Sequence, residues 1–171
     1  TVLASLSSLL DEAIADLTAA SSRNESFDIV FNGDKNKWIE AAYTLKARYA
    51  LIQSDYSAAL SAANNGISSS AGDMMYHPRG DAAINSGDKN LFYTLLAGSR
   101  TGDIGNAGSY LLKMLNPAES VYRGNAKTNE LARHNYYMID ENSASGNTGV
   151  AHQFESQPFA TYSENQLIKA E

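Results

Sequence analysis

Three groups of side chains in this 171-residue chain could grip a hydroxyl-rich ligand: Tyr76 with His77 and Arg79, Tyr93 with Arg100 and Asp103, and Tyr122 with Arg123. Taking a polyol out of water requires a flat aromatic face against the apolar side of the ring. It also requires planar Arg, Asn or Asp groups that re-bond the hydroxyls water gives up. Loops meet that need better than buried helices, and these residues fall in or beside stretches rich in Gly, Ser, Asp and Pro. The competing role for each tyrosine is a ring packed beneath its loop with the hydroxyl bonded to backbone. These residues are the expected ligand-binding set.

Catalytic and metal chemistry find less support. Glycoside hydrolysis uses two carboxylates set across a cleft. Asp140 and Glu141 are such a pair in sequence only, and no local catalytic motif accompanies them, so no catalytic residue is expected. His77, His134 and His152 lie far apart, without the i, i+4 spacing of a helical zinc pair, and neither a metal nor a cofactor is expected. Asn32-Gly33-Asp34-Lys35-Asn36 offers oxygens at alternating positions, as a calcium loop does, but it lacks a closing bidentate glutamate and its lysine would repel the ion. A turn followed by a helix cap is the expectation there. The absence of cysteine removes disulfides, thiolate zinc sites and cysteine nucleophiles. Nucleic acid is not an expected partner, because 13 scattered basic residues are outnumbered by 19 acidic ones.

The elements that must carry these groups are helical. Leu3, Leu6, Leu10, Ile14 and Leu17 recur at spacings of three and four and predict a helix over about 2–20, with Asp11, Glu12 and Asp16 on its wet side. Trp38, Ala41, Ala42, Leu45 and Tyr49 share one face of a second helix capped by Asp34, and that face predicts a core position for Trp38. Asp55 caps a third, whose buried stripe is expected to be Tyr56, Ala59, Leu60 and Ala63, ended by Asn64-Asn65-Gly66. Beyond it, Ser68 to Asp88 reads as a long ordered loop, followed by short helices near 90–97 and 106–115. In the latter, Tyr110, Leu111 and Met114 are expected to face inward. Asn135 to Ile139 reads as a strand, and Glu141 to Gly149 as a mobile Gly/Ser/Asn stretch. GDKN occurs at Gly33–Asn36 and again at Gly87–Asn90, each time ahead of a helical segment, which predicts shared turn-and-cap chemistry.

The fold class expected is therefore mainly α: tetratricopeptide-like helical hairpins with long loops, a fragment of an α-α superhelix. A hydrophobic content of 43% is enough for a core of its own, so residues 1–171 are expected to form a single domain. It divides into a helical scaffold over about 1–70, a loop-rich region over about 71–157 and the start of a further repeat helix at 158–171. The stripe Tyr162, Leu167 and Ile168 is expected to need a partner beyond Glu171 or on another molecule, which makes the chain read as a piece of a longer protein.

DEAIADL (11–17), GDKNKWIEAAYTLKARYAL (33–51), LFYTLLAGSRTGDIGNAGSYLLKML (91–115) and PFATYSENQLIKAE (158–171) occur in an order that resembles SusD/RagB-like outer-membrane proteins. That family often carries an Asp-Pro-Arg-Leu run ahead of a tyrosine pair. Here Glu130-Leu131-Ala132-Arg133 precedes Tyr136 and Tyr137. The resemblance implies a non-enzymatic, lipid-anchored surface protein of the outer membrane that binds a polysaccharide, oligosaccharide or other nutrient and delivers it to a SusC-like TonB-dependent transporter. Membrane attachment would then run only through a lipid anchor outside this chain. A tetratricopeptide-type protein-protein adaptor is the alternative reading, and a glycoside hydrolase is the third.

Overall fold

The computed structural model describes residues 2–21, 26–81, 87–98, 100–125 and 127–171. Among them are seven α-helices and two short strands, a mainly α fold. The chain divides into two compact units, one of residues 1–76 with 158–171 and the other of residues 77–157.

In the first unit, α1 (Val2–Ala19), α2 (Lys35–Ile52) and α3 (Tyr56–Ala63) form successive hairpins. The expected stripe of α1 is its least exposed side, with Ile14 buried, and Asp11, Glu12 and Asp16 are exposed. Gly33 turns at a φ of 81°, and the Asp34 carboxylate then accepts from the backbone N–H of Asn36 and Lys37, which would otherwise lack partners in the first turn of α2. Asp55 does the same for α3 through Ala58 N–H.

The contact between α2 and α3 is made of small side chains, Ala47 against Ala59, Ala62 and Ala63, while Ala41 of α2 packs with Phe31, Ile67 and Ala160. Alanine lets two helix backbones approach closely and leaves no room for a large ring between them. The stripe expected for α3 is corrected on that ground. Ala62 is buried, whereas Tyr56 and Leu60 stand at the margin, exposed.

A 3₁₀ turn at Ser70–Gly72 leads into β1 (Met74–Tyr76), which pairs with β2 (Gln157–Ala160). The stretch 82–86 of the expected 68–88 loop lies outside the described residues.

The last helix, α7 (Tyr162–Ala170), packs on α3 and α2. Ile168 joins Ala47, Ala59, Ala62 and Ala63 in one cluster, and the fully buried Asn165 donates to the carbonyls of Ala63 (2.9 Å) and Ile67 (3.0 Å). The expectation that this helix needs a partner beyond Glu171 is thereby corrected. Its docking face is Tyr162, Asn165 and Ile168, and of the expected stripe Leu167 is exposed.

The second unit is held less by helix packing than by asparagine side chains that stand in for backbone. Asn90, fully buried, caps α4 (Leu91–Ala97) by accepting from Phe92 and Tyr93 N–H, and its amide donates to the carbonyls of Val150 and Glu155. Leu96, Ile139 and Ala151 form the core beside it. Ser109 caps α5 (Tyr110–Leu115), where Leu112 is the buried residue and Tyr110 and Leu111 are exposed, which corrects the inward face expected for that helix.

The strand expected at 135–139 is also corrected. Asn129 caps α6 (Glu130–Tyr137), and with no proline in Glu130-Leu131-Ala132-Arg133 those helix-forming residues carry the helix on to Tyr137. Glu141 to Gly149 folds around Asn147, which is 4% exposed, donates to the carbonyls of Asp140 and Ser143 and accepts from Asp140 N–H.

Candidate functional site

The eight residues expected to contact ligand are distributed over several local settings. Tyr76 ends β1 in the first unit, half-buried. His77 and Arg79 begin the second unit and are exposed, with His77 Nδ1 2.7 Å from Ser156 Oγ. Tyr93 sits on α4 with the Lys89 ammonium 5.3 Å from its ring centroid. Arg100 and Asp103 are brought together as an ion pair of 2.6 Å, each more than half exposed. That pairing occupies the guanidinium and the carboxylate with each other. Tyr122 is half-buried and folds over its own loop, where a Cβ on Gly124 would collide with the phenol, while the Arg123 side chain is exposed.

Two residues the sequence reading did not select are better presented. Tyr136 and Tyr137 end α6 with ring centroids 5.1 Å apart in an edge-to-face arrangement, 40% and 41% exposed. The Tyr136 hydroxyl donates to Glu155 Oε1 at 2.7 Å. That bond, then burial and the nearby Glu155 charge, push the phenol up to about 12. Adjacent tyrosines in a polar context were visible in sequence, but reading them as a strand would have sent the two rings to opposite faces.

Each unit also has a cleft. The larger, about 740 Å³, lies in the first unit and is lined by Leu17, Ala20, Ser21, Asp28, Gly33, Lys35 and Trp38. Trp38 is half-buried rather than fully core, set edge-on to Phe31 at 5.1 Å, with its indole N–H donating to Asp28 Oδ2 at 2.7 Å. The charged groups lining this cleft are already committed. Asp28 accepts from the backbone N–H of Val30, Phe31 and Gly33 as well, and Lys35 Nζ donates to the carbonyls of Ala20 (2.5 Å) and Thr18 (3.4 Å) at the end of α1. A cleft whose polar groups are satisfied by its own walls has little grip to offer a polyol.

The second cleft, about 470 Å³, lies in the second unit between Gly105, Ala107 and Gly108 on one side and Met138 to Asn142 on the other. Its volume falls in the range of small-ligand sites. Asn106 bonds across it, donating to Tyr137 O and accepting from Ile139 N–H, both at 2.8 Å, so its walls are held in place. Asp140 and Glu141 both line it. Among the described residues no three His, Cys, Asp or Glu side chains converge as metal ligands, and no helix is long and apolar enough to cross a membrane.

A family model described as SusD-like, Susd and RagB outer membrane lipoprotein, matches residues 1–170. No curated protein and no solved structure matches the chain.

Proposed function

The chain belongs to the SusD-like family of outer-membrane lipoproteins, and from that premise we propose that it binds a glycan at the cell surface and passes it, chemically unchanged, to a SusC-like TonB-dependent transporter. The observation that carries this reading is the match to the family over residues 1–170. The architecture is consistent with it: helical hairpins make a scaffold, and the second unit presents aromatic and polar side chains from loops and helix ends. We assign the ligand surface to that unit, with His77, Arg79, Tyr93, Arg100, Asp103, Tyr122 and Arg123 as contact residues, and propose Tyr76 of the first unit as a separate contact. The exposed pair Tyr136 and Tyr137 adds aromatic surface for the apolar side of a pyranose.

The transporter half of the reading is tested on intact cells. Full-length tagged protein should be cleaved by external protease and should co-purify from detergent-extracted outer membranes with a large β-barrel receptor. Protection from protease, or purification without such a receptor, contradicts it.

A further inference from the structure

Resting on the glycan-binding reading above, we propose that the cleft between Gly105–Gly108 and Met138–Asn142 is a sugar subsite that accepts rings without acidic substituents and rejects uronate and sulfate groups. The cleft is preformed, because both of its walls are tied down by asparagines. Asn106 pairs with the backbone of Tyr137 and Ile139, and Asn147 pairs with the backbone of Asp140 and Ser143. Those bonds consume wall backbone groups, and Asp140 Oδ1 accepts from Asn142 N–H at 2.9 Å, which leaves the second Asp140 oxygen and the side chains of Met138, Glu141 and Asn142 as the chemistry presented to an occupant.

That chemistry is one-sided. None of the residues lining the cleft is basic. The nearby Arg100 is paired with Asp103, and among the described residues neither Asp140 nor Glu141 has an ion-pair partner. Carboxylates placed this way accept hydrogen bonds from sugar hydroxyls, and such bonds are stronger than those between neutral groups. Met138, 37% exposed, adds a soft apolar contact for the C–H face of a ring. A carboxylate or sulfate brought against the same two carboxylates meets like charge with no cation to offset it, so exclusion is built into the lining.

Two glycines shape the opposite wall. A Cβ on Gly105 would stand 2.5 Å from Glu141 Oε2, so glycine is what lets that carboxylate lie against the loop. At Gly108 a Cβ would meet nothing within 4 Å. A large side chain therefore has room at this position of the cleft lining.

The test titrates the whole chain with neutral galacto-, gluco-, manno- and xylo-oligosaccharides beside oligogalacturonate, alginate oligosaccharides and a sulfated galactan. At least one neutral probe should bind, and every acidic probe should bind at least about tenfold more weakly. Glu141→Gln keeps the side-chain shape, so it should melt like the parent and narrow that ratio by about fivefold. Gly108→Trp should fold and lose the neutral probe. An acidic probe bound as tightly as its neutral counterpart overturns the inference. So does neutral binding that survives Gly108→Trp, and if that variant fails to fold, an unchanged ratio in Glu141→Gln overturns it alone. All of those outcomes leave glycan binding standing. Failure of the parent to bind any probe overturns the glycan-binding reading itself.

Discussion

Arg48 and Glu164 stand 116 positions apart and form a two-point ion pair, Nε to Oε1 at 2.5 Å and Nη2 to Oε2 at 2.6 Å. The same guanidinium donates to the carbonyl of Phe159, so a single side chain on α2 holds both the incoming strand β2 and the first turn of α7. Side-chain exposures of 32% and 29% put the pair between a surface ion pair worth under about 1 kcal/mol and a buried one costing about 3–5 kcal/mol to break.

Arg48→Ala should therefore cost about 2 kcal/mol in denaturant unfolding, and Arg48→Lys should recover little of it, because an ammonium cannot match the planar fork. A double-mutant cycle with Glu164→Ala should return a coupling of about 1–2 kcal/mol. Additive losses would show that the pair does not hold α7.

Asn165 and Gly66 make the second contact that fixes α7. Asn165 is fully buried with both amide hydrogens used, and a Cβ on Gly66 would stand 2.6 Å from Asn165 Oδ1 and from Thr44 Oγ1. Asn165→Ala leaves the Ala63 and Ile67 carbonyls buried without donors and should cost about 2–3 kcal/mol. Asn165→Asp should cost more at neutral pH, since it turns a donor into a charge facing carbonyls. Gly66→Ala should also destabilise, by about 1–3 kcal/mol, through overpacking alone. Thermal melts of the three variants check the order.

Asp28 gives a pH signature. Burial pushes its carboxyl up, but hydrogen bonds from the Trp38 indole and from the backbone of Gly33, Val30 and Phe31 together outweigh it and bring the group from 3.8 to about 2. A carboxyl with a lowered folded value stabilises the protein above its unfolded value. In that window the unfolded chain binds more protons, so stability falls as pH drops from about 4 toward 2. Asp28→Asn should flatten the fall in melting temperature over that window. Trp38→Ala should lower stability at every pH, by about 3 kcal/mol.

How legible these features were in sequence depended on their range. Asp34 and Asp55 could be placed as caps because a cap is decided within four residues. The two GDKN segments show the limit of local reading. Gly33 and Gly87 both turn at a φ of 81°, yet the cap is the second residue, Asp34, in one copy and the last, Asn90, in the other. What the chain does after the turn is set by partners 60 or more residues away, Val150 and Glu155 for Asn90. Leu112 rather than Tyr110 or Leu111 is buried for the same reason: a six-residue helix has no periodicity strong enough to choose its own inner face. At the candidate site, residue types showed which side chains could grip a sugar, but not that Arg100 would take Asp103 or that the chain reversal would set Met138 to Asn142 against Gly105.

Tyr136 should titrate late for a phenol. Its hydrogen bond to Glu155, then burial and charge, raise the phenol from 10.0 to about 12. The stability this bond supplies is present below about pH 10 and is lost as pH rises through about 12. Ultraviolet titration of the parent against Tyr136→Phe should differ only at the alkaline end, and Glu155→Gln should move that step down. A difference spectrum centred near 10 contradicts the bond.

The central claim, binding without turnover, is tested most directly by titrating the purified chain with the neutral oligosaccharide panel while reducing ends are assayed in the same samples. Saturable binding, weakened by Tyr136→Ala with Tyr137→Ala and accompanied by no release of reducing ends, is the predicted result. Reducing ends that accumulate in proportion to protein and disappear in Asp140→Asn or Glu141→Gln would contradict it and make the chain a hydrolase.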